Sequence, residues 1–556
     1  MKQDYWLKQL LVAAVAAFIF MPFIGRAHLF DWDEVNFAEC AREMLVSGNY
    51  MRVQVDFQPF WEKPPIFIWM QALSMKAFGI NEFAARFPNA LLGIVTLCTL
   101  FHIGRKIASE RMAWWWALLY AGSWLPSFYF KSAIIDPAFN FFIFLSFYQA
   151  WLMKHAERKW LHALLAGFLL GAAVLTKGPA AILIALLALG VYAVSNKGFS
   201  GYKIGYFLLV TLACAATAFL WFGADMVQNG LWFTREFIVY QIRLFRTEDA
   251  GHGGPLYYHF LVLLVGCFPA AAFLFQWCPK GKAVRGNMVG HVPETEGQIA
   301  ARNDFGRWMW VLFWVVLLLF SVVKTKIVHY SSLCYFPLTY LAALQLERLD
   351  MGFEKMKKAV WWLNLATGIL IALAITLLPL IGIHKKDIAP YVGDKFAVAN
   401  LEAMVSWSHT ECLYGLAYLA IIITTFIHVK RNFAQGFFVL LATQIVMIQL
   451  TMQHFVPKVE AYTQGAAVNY YQRFAGKDVY LAPIGYKSYG YLFYSKKMPS
   501  ANPEYYQGGL QWLLKGNVDK PAYFISKNTD EKDILQTYPQ LEKLSDENGY
   551  VLYKRR

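Results

Sequence analysis

Apolar runs long enough to cross a hydrocarbon core of ~30 Å alternate with short polar loops along the first four-fifths of the chain. They predict spans near 9–27, 87–104, 112–130, 137–153, 161–176, 180–195, 204–225, 256–277, 308–323, 327–346, 359–383, 410–429 and 433–454. That is about thirteen membrane helices. The first run, LLVAAVAAFIFMPFI, lacks an A-x-A-like cleavage site and reads as a retained helix rather than a signal peptide.

Two helical patterns interrupt this rhythm in the first outer segment, residues 28–86. In EVNFAECAREMLVSG, Phe37, Ala38, Ala41, Met44 and Leu45 share one face and Glu39, Arg42 and Glu43 the other, with Gly48 as the stop. The pattern predicts an interfacial helix with its charged face in solvent. A second, PPIFIWMQALSMKAFG, opens with Pro64 and Pro65, favourable in a first helical turn. Residues 226–255 read as a further outer loop. From about residue 455 the pattern changes to short β-rich runs, DVYLAP, YGYLFYS, PAYFIS and YVLYK, separated by Gly, Pro, Asn and Lys. The expected division is a membrane domain over 1–454 and a small soluble α/β domain over 455–556.

Composition agrees: of 556 residues, 58% are hydrophobic and only 16% charged, too few charges to clothe a soluble enzyme of this size. The net charge of +15 gathers in loops such as GRKIASER, KHAERK, SNKGFSGYK and ERLDMGFEKMKK. These fall on one side of the membrane, as the positive-inside rule requires if the amino terminus is cytoplasmic, and they are no nucleic-acid footprint. An odd number of spans puts the carboxy terminus outside. The seven cysteines show no CxxC spacing and no paired framework, so neither zinc nor disulfides is indicated.

The informative ionisable residues collect at the outer ends of the spans: Asp33 and Glu34, Glu62 and Lys63, Asp136, Lys177, Arg243, His252, Lys324, Lys326 and Tyr330. A transporter is expected to show polar or broken helices near the midplane instead. Cations with a few carboxylates at an interface suit an anionic, membrane-bound substrate. Lys63, Arg243 and Lys324 have the chemistry to hold a phosphate, and a carboxylate near them to take a proton from an acceptor hydroxyl. A lipid-phosphate leaving group needs cations and no general acid. The simplest structural readings are Asp31 as N-cap of the interfacial helix with Glu34 closing a capping box, Lys177 snorkelling at a span end, and His252 as an ordinary loop histidine. Lys326 and His329 stand beside stronger candidates.

DWDEVNFAECAREMLVSGNY, FWEKPPIFIWM, NEFAARFPNAL, KSAIIDP, VLTKGP, EDAGHGGPLYYH and FSVVKTKIVHY resemble, in order and spacing, the GT-C integral-membrane glycosyltransferases. The branch they resemble is that of the lipid A aminoarabinose transferases, related to the protein O-mannosyltransferases. The likeness covers roughly residues 10–340. It implies the GT-C fold and inverting transfer of a sugar from a polyprenyl-phosphate carrier to lipid A, another envelope glycan or a protein, at the outer face of a bacterial-type inner membrane. It implies Asp33 as general base, Asp136 as the residue orienting acceptor or sugar, and Lys63 facing the lipid phosphate. Arg243, Lys324 and Tyr330 fall in segments lining the donor pocket, with Glu34, Glu62 and Lys326 as further site residues. No cofactor is required, although Glu62 and His252 have the ligand types to share a divalent cation. Aminoarabinose transferases typically carry Arg and Tyr where this chain has Asn36 and Phe37. The alternatives are a lipid-linked glycan ligase or polymerase using a pyrophosphate-linked donor, and a lipid or sugar transporter.

Overall fold

The computed structural model describes residues 2–246, 253–276, 288–289, 292–293 and 295–556. The expected spans overlap helices, with differences: 9–27 is helical only to Phe20, 112–130 is split into Glu110–Ala121 and Trp124–Tyr129, and 256–277 and 327–346 each combine an α-helix with a 3₁₀ segment. Seven helices among the described residues are long and apolar enough to cross a membrane. The protein is a multi-pass membrane protein.

Helix α1 (Lys2–Phe20) leads into the outer segment, which holds α2 (Asp33–Ser47) and α3 (Ile66–Phe78) before the chain re-enters as α4 (Glu82–Ile107). Helix α2 stops where the sequence predicts, because Gly48 takes φ 70°, a left-handed conformation that glycine adopts without a Cβ clash. Residues 226–255 are not simply a loop: Trp232–Arg246 is a helix, rich in aromatic residues on one face. Phe233 and Phe237 pack there against Trp221.

Close helix contact sets the depth of the site. Gly167 and Gly171 lie one turn apart on the Lys159–Lys177 helix, and a Cβ at Gly167 would stand 2.3 Å from the Val210 carbonyl oxygen of the Ile204–Asn229 helix. Two small residues at this spacing let two backbones touch inside a bilayer.

The carboxy-terminal segment carries strands Tyr480–Pro483, Ala522–Lys527, Leu541–Glu547 and Tyr550–Arg555, arranged in space as first, second, fourth, third. The first pair is parallel and the others antiparallel. Two expectations fail here. YGYLFYS is not a strand: Gly490–Tyr494 is helical, its Leu492, Phe493 and Tyr494 filling a core rather than one sheet face. Leu541–Glu547 was not expected as a strand, because its exposed edge reads polar throughout.

The interfacial helix also differs from expectation. Glu39, Arg42 and Glu43 are buried, not solvated. The carboxy-terminal segment covers them, and Val35, Ala38, Ala41 and Met44 of α2 share one apolar core with Tyr471, Leu492, Ile525 and Leu552. Arg42 donates to both oxygens of Glu39 at 2.6 and 2.7 Å and to the Lys497 carbonyl at 2.7 Å. Lys497 in turn pairs with Asp56 at 2.6 Å and contacts Tyr505. A row of charges that reads as a wet face is an internal polar seam.

Candidate active site

Four contacts build the site's frame around Glu34. Its carboxylate takes a bidentate pair from Arg86 at 2.7 and 2.9 Å and accepts the Phe30 N–H at 2.9 Å and the Ala133 N–H at 2.6 Å. Arg86 also donates to the carbonyls of Ile24, Ala27 and His28, so one guanidinium ties the exit of α1 to α2 and α4. Burial raises the Glu34 carboxyl, but Arg86 and the two N–H donors outweigh it and hold the group below its ordinary value. Asn89 fixes the chain ahead of Asp136 by donating to the carbonyls of Ser132 and Ile134.

This frame corrects the capping reading. Trp32, not Asp31, occupies the N-cap of α2, with no side-chain cap. Asp31 instead accepts the Tyr489 N–H at 3.3 Å, and burial pushes its carboxyl above the ordinary value. Glu34 serves the frame.

Asp33, in the first turn of α2, opens into a cavity of about 600 Å³ that Glu62, Lys63, Asp136, Arg243 and Tyr330 also line. The side chain of Asp136 is 4% exposed, and Lys177 Nζ lies 2.5 Å from it. His329 Nε2 stands between the two aspartates, 3.7 Å from Asp33 and 3.8 Å from Asp136. Asn140 donates to Ser332 at 2.7 Å, locking the Val328–Cys334 turn to the Asp136–His155 helix. Lys63 and Arg243 converge on one ring: their charges sit 5.2 Å from the centroid of Tyr240, whose hydroxyl donates to Glu62 at 3.2 Å.

Two candidates are not brought in, and a third is not described. Lys324 is exposed and does not line the cavity. Lys326 donates to the carbonyls of Phe320, Ser321 and Val323, closing the end of the Glu296–Val322 helix. A lysine there satisfies orphan carbonyls and the helix dipole. His252 lies outside the described residues, and among those described no group of three or more His, Cys, Asp or Glu residues is arranged to hold a metal ion. Conversely, Lys177 does not snorkel: it is the partner of Asp136. His329 and Lys487 also line the cavity. The VLTKGP motif marked Lys177, but nothing in the spacing of the carboxy-terminal segment singled out Lys487.

Residues 62–221 match the family of dolichyl-phosphate-mannose-protein mannosyltransferases. The undecaprenyl phosphate-alpha-4-amino-4-deoxy-L-arabinose arabinosyl transferase of Edwardsiella ictaluri is 27% identical over 74% of this chain and 75% of its own length. The enzyme of the same name from Pseudomonas aeruginosa is 26% identical over 67% of this chain and 65% of its own length. The crystal structure of ArnT from Cupriavidus metallidurans bound to undecaprenyl phosphate superposes with a TM-score of 0.76 at 16% identity, covering 99% of this chain and 98% of that one. The chain is a membrane glycosyltransferase of the GT-C fold. Asp33, Lys63 and Arg243 line one cavity in it. The ArnT apo structure matches at a TM-score of 0.73 over 100% of this chain, so the likeness extends through the carboxy-terminal segment.

Proposed function

We propose that the protein transfers a sugar, with inversion, from a polyprenyl-phosphate carrier to an acceptor oxygen at the outer face of the inner membrane. The amino terminus is cytoplasmic and the carboxy-terminal segment extracytoplasmic, in keeping with the Lys- and Arg-rich loops. The observation that carries the reading is the convergence of Lys63 and Arg243 on Tyr240 in the cavity that Asp33 enters. Lys63 and Arg243 hold the carrier phosphate by charge-assisted hydrogen bonds. Asp33 takes the acceptor proton as the acceptor oxygen bonds to the anomeric carbon. The bond from that carbon to the phosphate oxygen breaks, and the two cations receive the charge left on the carrier. Asp136, neutralised by Lys177, orients sugar or acceptor. The relatives' names point to a 4-amino-4-deoxy-L-arabinose donor, and the family resemblance points to lipid A as acceptor.

The test is mass spectrometry of full-length protein in lipid, incubated with undecaprenyl-phosphate aminoarabinose and lipid A. Lipid A heavier by one aminoarabinose supports the reading. Movement of intact carrier across a vesicle wall with no new glycosidic bond overturns it in favour of transport.

A further inference from the structure

We infer that Lys487, carried on the carboxy-terminal segment, sets acceptor specificity by holding an anionic group on a saccharide acceptor. This rests on the reading of Asp33 as the base. Lys487 lines the same cavity as Asp33. Its Nζ lies 4.5 Å from the Trp32 ring centroid and 5.3 Å from that of Tyr489, positions at which a cation gains from the ring faces. Trp32 immediately precedes Asp33 and meets Tyr489 edge to face at 5.5 Å. The Tyr489 N–H donates to Asp31. The lysine is therefore tied, directly over Trp32 and through Tyr489 of its own turn, to the residues that precede Asp33.

The charges of the cavity divide by partner. Lys177 is neutralised by Asp136, and Lys63 and Arg243 gather on Tyr240. Among the described residues no carboxylate pairs with Lys487, which is exposed and held only against aromatic rings. Unlike Lys177, Lys487 thus stands without a carboxylate partner among the described residues, on the turn packed against Trp32, beside the residue that must meet the acceptor. Trp32 is 38% exposed and presents an apolar face of the kind on which a sugar ring rests. An apolar platform, a base and a cation in this order match a saccharide bearing a phosphate near the attacking oxygen. A neutral peptide would leave the lysine unused.

The experiment uses full-length protein in lipid, with Lys487→Ala and Lys487→Arg. Acceptor KM and kcat are measured at saturating donor, with a phosphorylated lipid disaccharide and with its dephosphorylated counterpart. Affinity for undecaprenyl phosphate is measured separately. Lys487→Ala is expected to raise the KM for the phosphorylated acceptor about tenfold, the loss of one charge-assisted contact. Lys487→Arg restores most of that, the penalty shrinks with the dephosphorylated acceptor, and carrier affinity holds. An unchanged acceptor KM overturns the inference, and so does a loss of carrier affinity, which would place Lys487 on the donor phosphate. If wild-type protein glycosylates neither acceptor, the underlying reading fails and takes this one with it. Wild-type transfer with insensitive variants overturns this one alone.

Discussion

Lys177 Nζ meets a carboxylate oxygen of Asp136 at 2.5 Å, so the ammonium at the end of one helix neutralises the acid that opens another. Removing one partner of such a buried pair leaves the other uncompensated, at a cost of about 3–5 kcal/mol. Lys177→Met is expected to lower the thermal midpoint in detergent and to abolish transfer. Adding Asp136→Asn restores much of the stability and none of the activity. A Lys177→Met protein that melts like wild type contradicts the pairing.

Asp33 has its carboxylate in the cavity, with the His329 imidazole 3.7 Å away and, among the described residues, no Lys or Arg paired with it. Asp33→Asn keeps the shape and removes the proposed base. Transfer is expected to fall about 10²–10⁴-fold, with carrier binding intact by calorimetry. Retained turnover would assign proton removal elsewhere.

Lys63 and Arg243 share the Tyr240 ring, so each is expected to carry part of the carrier's affinity. Lys63→Ala or Arg243→Ala should weaken undecaprenyl phosphate binding by about 1.5–3 kcal/mol, the range for hydrogen bonds to charged groups. Arg243→Lys should recover only part, because an ammonium cannot reproduce a planar fork. Binding titrations at two salt concentrations check both.

Burial and the neighbouring Glu39 push the Glu43 carboxyl from an ordinary 4.5 to about 9. Between those values the folded protein holds a proton that the unfolded chain has released. The contribution to stability is therefore full below about pH 4.5 and declines as pH rises towards about 9. Glu43→Gln, with no charge to acquire, should flatten that decline. Thermal midpoints from about pH 6 to about pH 9 test this, and parallel slopes for wild type and variant would refute it.

Much of this architecture is legible in the sequence because a bilayer forces it: a spanning segment must be apolar and helical. Asp33, Lys63, Asp136 and Arg243 reach one cavity because polar residues at span ends have few places to go. Three things were hidden. The buried seam of Glu39, Arg42 and Glu43 looks like a solvent face, since charges covered by partners and charges covered by water share one periodicity. Lys177 resembles any lysine at a helix end until its partner from 41 residues upstream is known. Lys487 reaches the cavity through tertiary packing of a segment whose own pattern speaks only of strands and turns.

The cover that the last residues place over α2 has a consequence for biosynthesis. A ribosome makes Arg42 455 residues before Lys497, whose carbonyl accepts from it. Throughout insertion of the intervening helices, Glu39, Arg42 and Glu43 lack the cover that buries them in the folded protein. Chains cut short before the strands that cover α2 are therefore expected to be recognised as incomplete by surveillance proteases, since a helix made early waits on a segment made late for its fold.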